Sequence, residues 1–237
     1  RTGVPGRLAR TGFARASGLD VDEVEEHWHG LKPPYDTLFA WAASPEGNAP
    51  VADPLGFKPF MLAHPLDDLE QLDLTDFAVE WKWDGIRIQL LGDGQTSRLF
   101  SRGGEEISSA FPEIAEAFRF RGVMDGELLV RGDQQGGGEG GAASFNALQQ
   151  RLGRKKVTGA MVADFPAFVR LYDLLVDGDE DIRPLPWRER RERLAQARLR
   201  AARRVDDQHS GLRTLGRAIR QRRVPVGAVR LHDHPGR

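Results

Sequence analysis

The chain has 237 residues, with 34 basic and 35 acidic side chains and a formal net charge of −1. This length suits one large domain or two small ones, and the charge excludes a global cationic field for nucleic acid. There is no cysteine, which excludes disulfides, thiolate metal sites and a cysteine nucleophile. No apolar run of roughly eighteen residues and no signal-like segment occurs, so we expect a soluble, cytoplasmic protein without a membrane partner. The chain begins at Arg1 rather than Met, which suggests a fragment.

Residues 1–43 are predicted to be helical. Asp20 is a candidate N-cap, and Val21, Val24 and Trp28 follow it at helical spacing. We expect this segment to be too small for a core of its own. Its basic side chains either face phosphates or form a solvated helix face; they are Arg1, Arg7, Arg10 and Arg15. Residues 44–56 have the composition of a linker.

Two apolar-alternating runs, 77–83 and 86–90, are predicted to be strands joined by a tight Asp84-Gly85 turn. Alternation places Glu80 and Lys82 on one face of the first strand. The opposite face receives Phe77, Val79, Trp81 and Trp83. Taken alone, Glu80 and Lys82 are also compatible with an ordinary solvated strand face.

The remaining sequence predicts alternating strands and helices. A hairpin turn at 92–94 leads to a strand over 96–102, and the later strands cover 123–130 and 168–176. The helices are predicted at 109–118, with Ser109 as N-cap, at 145–155 and at 187–201. The Gly-rich loop 134–143 lacks the Lys-[Ser/Thr] ending of a phosphate-binding P-loop.

Several motifs stand in an order that resembles a known superfamily. Lys82-Trp83-Asp84-Gly85-Ile86-Arg87 resembles the Lys-x-Asp-Gly-x-Arg motif shared by DNA ligases, RNA ligases and mRNA capping enzymes. Ser101-Arg102-Gly103-Gly104, Asp125-Gly126-Glu127 and Tyr172-Asp173 resemble its next motifs, with tyrosine in place of the usual phenylalanine.

Three further segments are similar to those of bacterial ATP-dependent DNA ligases. They are Pro59 to Ala63, the Phe-x-x-Leu-Gln-x-Arg run from Phe145 to Arg151, and the arginine-rich helix after Trp187.

The resemblance implies a role for each matching residue. Lys82 would attack the α-phosphate of ATP and carry AMP as a phosphoramidate, which requires a neutral amine. The other implied contacts are Glu80 with adenine, Arg87 with ribose, Arg102 with phosphate, Glu127 with ribose or metal, and Tyr172 stacked on adenine. Asp84, Gly85, Asp125 and Gly126 complete the motifs. The implied cofactors are ATP and Mg²⁺ or Mn²⁺, and the implied partner is nicked double-stranded DNA, bound by a nucleoid-associated monomer.

Most of the motif residues that follow Arg87 also have an ordinary structural explanation. Arg102 could be an edge-strand arginine, Asp125-Gly126 a turn, and Tyr172 a core residue. Glu127 is harder to explain structurally because it lies within an apolar strand.

The resemblance also implies an architecture. We expect an α+β fold, an antiparallel-sheet nucleotidyltransferase (ATP-grasp-like) adenylation domain at 57–204, incomplete and preceded by a short all-helical segment. Residues 1–43 would be the last helices of a DNA-binding domain, and 205–237 an atypical Arg-rich tail. The last glutamate is Glu192 and the last lysine Lys156, so the family's glutamate-glycine and Lys-x-Lys motifs and its OB-fold domain have no counterpart. We attribute this to a truncation or reading-frame change after about residue 200; a disordered DNA-binding arm is the alternative.

Two other functions remain open on the sequence. An RNA ligase or GTP-using capping enzyme shares the lysine motif, but the segments at 57–63 and 145–151 argue against it. A catalytically incomplete DNA-binding remnant is favoured by the absent downstream motifs.

Overall fold

The computed structural model describes residues 3–29, 31, 33–44, 46, 49–50, 53–62, 78–131, 145–152, 154, 157–208 and 229–232. The helices found there are α1 (Gly6–Ser17), α2 (Val21–Trp28), α3 (Asp36–Ala43), α4 (Pro112–Ala117), α5 (Phe145–Leu152), α6 (Gly159–Asp164) and α7 (Trp187–Gln208). The strands are β1 (Ala78–Trp81), β2 (Ile86–Asp93), β3 (Ser97–Ser101), β4 (Arg121–Val130), β5 (Ala167–Asp177), β6 (Glu180–Asp181) and β7 (Val229–His232). Phe77, Ala63, the Gly-rich loop 134–143 and the tail 209–228 lie outside the described residues.

The main sheet has five strands in the order β3-β2-β4-β5-β6, and every pair is antiparallel. The predicted β2–β3 hairpin is confirmed. Asp93 accepts hydrogen bonds from the backbone N–H groups of Gln95 and Thr96, each at 2.7 Å, and Gly94 has a φ of 94°. Glycine adopts such a positive φ without steric strain, which is why it suits this tight turn.

The predicted hairpin between β1 and β2 is wrong. Both edges of β2 are already occupied, by β3 from Ile88 to Gly92 and by β4 along the whole strand. Ile86 and Arg87, at the start of β2, lack a β3 partner, but β1 does not pair with them; it pairs instead with β7 in a separate two-stranded sheet. Lys82 lies just past the end of β1, so residues 82–85 cross from one sheet to the other.

The two faces of the main sheet pack differently. The face covered by α4, α5 and α7 carries the larger apolar core, because even-numbered residues of β2 and β4 such as Ile88, Leu90 and Leu128 point to it. The opposite face has a small apolar cluster at one end; its buried members are Phe57, Leu91, Phe100, Val123, Leu175 and Val176. The other end of this face is polar and carries Arg87.

The N-terminal helices form as predicted but differ in two respects. They do enclose a small core, which contains Ala14, Val24, Leu38 and Trp41. Arg10 does not face phosphate or solvent: it is buried, its guanidinium lies 2.9 Å from Glu25, and it donates to the Gly103 carbonyl at 3.2 Å. The Asp20 N-cap is confirmed by hydrogen bonds from the N–H groups of residues 22 and 23.

Other predicted boundaries move by a few residues. Ser109 lies in a 3-10 turn, and α4 begins only at Pro112, without a side-chain cap. Helix α7 continues to Gln208, beyond the predicted helix end at 201. Four residues of the tail form β7, which differs from a wholly disordered arm. Among the described residues, no helix is long and apolar enough to cross a bilayer.

Candidate functional site

A row of polar residues crosses the centre of the main sheet on one face. Arg87 on β2 lies opposite Glu127 on β4, and Glu127 lies opposite Arg170 on β5. One step along β4, Asp125 lies between Gln89 and Asp173. Directly opposed residues project to the same face of a sheet. We call this patch of Arg87, Gln89, Asp125, Glu127, Tyr172 and Asp173 the polar face.

Tyr172 joins this face through a sheet irregularity. The β4–β5 register shifts between Asp125 and Gly126, so that one extra residue of β5 is accommodated. The Tyr172 ring lies 5.7 Å from the Arg87 guanidinium carbon, on the polar side of the sheet. Core packing against the larger apolar cluster is therefore not the role of this ring.

Arg87 is the centre of the polar face. Its guanidinium donates to the Asp125 carboxylate at 3.0 Å and to the Met61 carbonyl at 2.8 Å. The same group stacks on Phe60, at 4.6 Å from the ring centroid. Arg87 thus attaches the segment before β1 to the sheet and presents a flat cation between two aromatic rings.

Burial raises the pKa of Asp125 to about 6, against an ordinary value of 3.8. The neighbouring Asp173 acts in the same direction, whereas the Arg87 charge and hydrogen bonds from Arg87 and Gln89 oppose the rise. Asp125 and Gly126 lie within β4, so the turn that the sequence also allowed is wrong. A Cβ at Gly126 would lie 2.8 Å from the Arg170 carbonyl oxygen, because β5 approaches closely there.

The lysine segment is attached to this region at three points. Before Lys82, the Glu80 carboxylate lies 3.5 Å from Arg191 on α7. Immediately after it, the Trp83 ring lies under the Arg170 guanidinium at 4.5 Å. At Gly85, the backbone runs so close to β4 that a Cβ would meet the Leu128 carbonyl oxygen at 2.4 Å.

Between these attachments Lys82 is exposed, as is Asp84. The Lys82 amine is therefore accessible to a ligand rather than packed in hydrocarbon. Glu127 is largely buried, with 6% of its surface exposed, and the Gly85 backbone passes beside its side chain.

Arg102 is the predicted residue that lies apart. It follows β3, whose Ser101 is opposite Ile88, so Arg102 stands at the level of Arg87 on the outer strand. Its side chain is exposed, and within the described part of the chain it has no hydrogen bond or ion pair. The edge-strand explanation of Arg102 stays open.

Two arginines that the sequence did not single out hold Tyr172 and Asp173 in place. Arg190 on α7 binds the Asp173 carboxylate with two hydrogen bonds of 3.0 Å and donates to the Leu185 carbonyl at 2.6 Å. Arg191 donates to the Tyr172 carbonyl at 2.8 Å. The sequence signal for them was the arginine-rich helix after Trp187, whose adjacent arginines resemble those of bacterial ligases, although no role was assigned to either residue.

The residues present could supply one carboxylate to a divalent metal. Across the described ranges no group of three or more histidines or carboxylates is placed to hold an ion. Asp125 is paired with Arg87, and Glu127 is the carboxylate that the motif resemblance assigns to the ion. A single carboxylate fits Mg²⁺, which often takes its other ligands from phosphate oxygens and water.

An antiparallel α+β domain with an exposed lysine near a polar sheet face fits the nucleotidyltransferase class that the lysine motif resembles. Residues 60–209 match the family described as ATP dependent DNA ligase domain, which covers more than half of the chain. The chain belongs to this family, and the predicted fold class and resemblance are confirmed.

Relatives of known name are also DNA ligases. Over 199 residues the chain is 30% identical to DNA ligase 1 of Korarchaeum cryptofilum, with 82% of this chain and 35% of that protein covered. It is 32% identical to a probable DNA ligase of Anaeromyxobacter dehalogenans, with 81% and 38% covered. The chain therefore spans about a third of the length of these relatives. The solved ligase domain of M. tuberculosis LigD aligns with a TM-score of 0.40 at 27% identity, covering 55% of this chain and 40% of that one.

Proposed function

We propose that this chain is the adenylyl-transfer part of an ATP-dependent DNA ligase and that Lys82 is its nucleophile. The observation that carries the proposal is the attachment of the Lys82 segment on both sides of the exposed amine: before it to Arg191 on α7, and after it to the sheet row that contains Glu127 and Arg170. An accessible amine held beside cations and a carboxylate is the arrangement that phosphoryl attack by lysine needs.

In the first step, the neutral Lys82 amine attacks the α-phosphorus of ATP. An N–P bond forms, the bond to the β-phosphate oxygen breaks with its electron pair, and pyrophosphate leaves. An oxygen of the 5′-phosphate at a DNA nick then attacks the same phosphorus and releases Lys82. Finally, the 3′-hydroxyl attacks the 5′-phosphate, which closes the strand and expels AMP.

The polar face supplies the contacts of this proposal. Tyr172 offers a flat ring for adenine. Arg191 contacts both the Tyr172 backbone carbonyl and the Glu80 carboxylate, and Glu80 would contact adenine. Arg87 would contact the ribose once the nucleotide enters, and Glu127 the ribose or Mg²⁺ or Mn²⁺. Such an ion would screen the phosphate charge when bound. Arg102, at the outer end of the same row, would contact phosphate.

The proposal is tested by incubation of the chain with ATP and Mg²⁺, followed by intact-mass measurement and peptide mapping. We expect one added adenylyl group, located on Lys82. Lys82→Arg should abolish it, because a guanidinium is not deprotonated at neutral pH. Lys156→Arg is the matched control and should keep the adduct.

An adduct on another residue, or its survival in Lys82→Arg, would remove the nucleophile assignment. Labelling from GTP but not ATP would point to a capping-type enzyme. No adduct, with binding to nicked duplex retained, would leave a DNA-binding remnant.

A further inference from the structure

Three arginines cluster beside the lysine segment, on the side of α7 and β5. Arg191 and Arg198 are two helical turns apart and therefore lie on one face of α7. Arg170 lies on β5, the strand on which α7 packs. We call Arg170, Arg191 and Arg198 the arginine cluster.

Among the described residues, the three guanidinium groups of the cluster share a single ion pair. Arg191 has the Glu80 carboxylate at 3.5 Å, near the limit of an ion pair. Arg170 lies opposite Glu127 in the β4–β5 register, but the two form no ion pair within 4 Å, and the Arg170 Nε is buried without an acceptor. Arg198 has no hydrogen bond or ion pair with the part of the chain that the structure describes. A guanidinium cannot lose its charge, so like charges held together in a partly buried place are costly unless an anion compensates them.

The electrostatics of Arg198 agree with this description. Burial, followed by the nearby charges of Arg191 and Arg170, lowers the pKa of Arg198. Burial also lowers the pKa of Arg170. Arg198 therefore lies in the field of the other two guanidinium groups, and both Arg198 and Arg170 are partly shielded from water.

The position of the cluster relates it to Lys82. Arg191 contacts Glu80, two residues before the lysine, and Arg170 stacks on Trp83, the residue after it. This stacking orients the Arg170 guanidinium before any ligand arrives. A preoriented guanidinium loses less entropy when it forms paired hydrogen bonds to phosphate oxygens.

We propose that Arg170, Arg191 and Arg198 form a phosphate-binding site beside Lys82. Its ligand is a phosphate group from one of two sources, the phosphate chain of the nucleotide or the 5′-phosphate of the nick. The inference rests on the proposed function for its choice of ligand, but the site can be tested without adenylylation. It would supply cationic contacts in a chain that has no lysine after Lys156.

The first test measures binding of inorganic pyrophosphate to the full chain by calorimetry. Arg170→Gln and Arg198→Gln should each weaken it about ten- to a hundredfold, as expected for loss of a charged hydrogen bond. AMP binding should change less than about threefold. Arg193→Gln is the matched control, because it removes a cation from α7 that pairs with Glu180 at 2.6 Å, away from the cluster.

The second test distinguishes the two phosphate sources. Binding of the chain to nicked duplex is compared with and without the 5′-phosphate. If the native chain binds the 5′-phosphorylated duplex more tightly and the variants do not, the site binds the 5′-phosphate of DNA. If the variants lose only pyrophosphate binding, the site binds the phosphate chain of the nucleotide. Both results support the phosphate site, and unchanged binding of both ligands would overturn it.

A thermal-unfolding measurement on Arg198→Gln tests the phosphate site even if pyrophosphate binds weakly. Since Arg198 has repulsive neighbours, Arg198→Gln should leave Tm unchanged or raised, as is common for a site strained for function. A clear fall in Tm would show that Arg198 has an intramolecular acidic partner, and the proposal would fail. If no adduct forms on Lys82 yet the variants lose pyrophosphate, the adenylyl-transfer proposal fails while this one stands.

Discussion

Gly85 lets the lysine segment approach β4 closely because it has no side chain, and even one added methyl group would not fit. Its backbone lies so close to β4 that a Cβ would be 2.4 Å from the Leu128 carbonyl oxygen and 2.9 Å from the Glu127 Cγ. The contact involves backbone, which cannot move aside as the end of a side chain can. Glycine here is a requirement of close approach rather than of a turn.

Gly85→Ala should therefore lower the free energy of unfolding by about 1–3 kcal/mol and sharply reduce adduct formation, because Lys82 and Glu127 are forced apart. Chemical denaturation and adduct yield measure the two effects. Gly159→Ala is the control, since a Cβ at this first residue of α6 has nothing within 4 Å. Equal behaviour of the two variants would contradict the close-approach explanation.

Asp125 predicts a pH dependence of stability. The folded protein holds this proton up to a pH of about 6, and the unfolded chain only to about 3.8. The folded state thus binds more protons in between, so this group makes the free energy of unfolding fall as pH rises from 4 to 6. The loss should reach about 3 kcal/mol and be complete above pH 6.

The measurement is the difference in unfolding free energy between the native chain and Asp125→Asn as a function of pH. We expect this difference to slope between pH 4 and 6 and to flatten above. Asp22→Asn, at an exposed position on α2, should show no such slope. A slope of the opposite sign would mean that Arg87 outweighs burial.

At the scale of elements, single buried arginines join helices to their neighbours. Arg151 on α5 is fully buried and donates to the Ala110 carbonyl at 2.6 Å, the Phe165 carbonyl at 3.1 Å and the Glu113 carboxylate at 2.7 Å. Its guanidinium also stacks on Phe111 at 4.5 Å. This geometry gives a structural reason for the arginine in the Phe-x-x-Leu-Gln-x-Arg segment.

Arg151→Lys should lower the free energy of unfolding by about 3–5 kcal/mol, since an ammonium cannot reach all three acceptors and Glu113 loses its forked partner. Urea denaturation measures this, and Arg154→Lys, at an exposed position just beyond the same helix, should be nearly neutral. If Arg151→Lys left the free energy of unfolding unchanged, a positive charge without the guanidinium geometry would be sufficient at this position.

At the scale of the whole molecule, Glu26 links the N-terminal helices to the sheet domain. Its carboxylate accepts from the Lys58 amine at 2.7 Å and from two nitrogens of Arg183 at 2.8 and 3.0 Å. His29 adds an aromatic contact with Phe57, at 4.5 Å between ring centroids. The helices are thus docked by a charged contact that leaves Lys58 almost completely buried.

Glu26→Gln should loosen this docking, because it leaves the Lys58 ammonium buried without its counter-charge, at a cost of roughly 3–5 kcal/mol. Hydrogen exchange of the α1–α3 amides should accelerate, whereas exchange in β2 and β4 should change little. Glu23→Gln, exposed on the same helix, is the control. Equal acceleration in the central strands would show that the two parts unfold as one unit.

Much of the element pattern and the family were predictable from the sequence. Motif order led to Lys82, Arg87, Glu127 and Tyr172, and the structure brings Arg87 together with Glu127 and Tyr172 on one face. Arg170, Arg190 and Arg191 were not found, because their partners are distant in sequence and arginine on a helix ordinarily indicates solvent.

Residue order by itself determined the local features: the strand and helix periods, the Asp93-Gly94 turn, the Asp20 cap and the residue types of the lysine motif. Each depends on interactions within a few positions. Only the tertiary structure decided that β1 pairs with β7 rather than β2, that Arg10 is buried, and that Arg170 and Arg191 contact the residues flanking Lys82. Those outcomes depend on which edges other strands occupy and which charges meet across the fold, and no short stretch of sequence contains both partners.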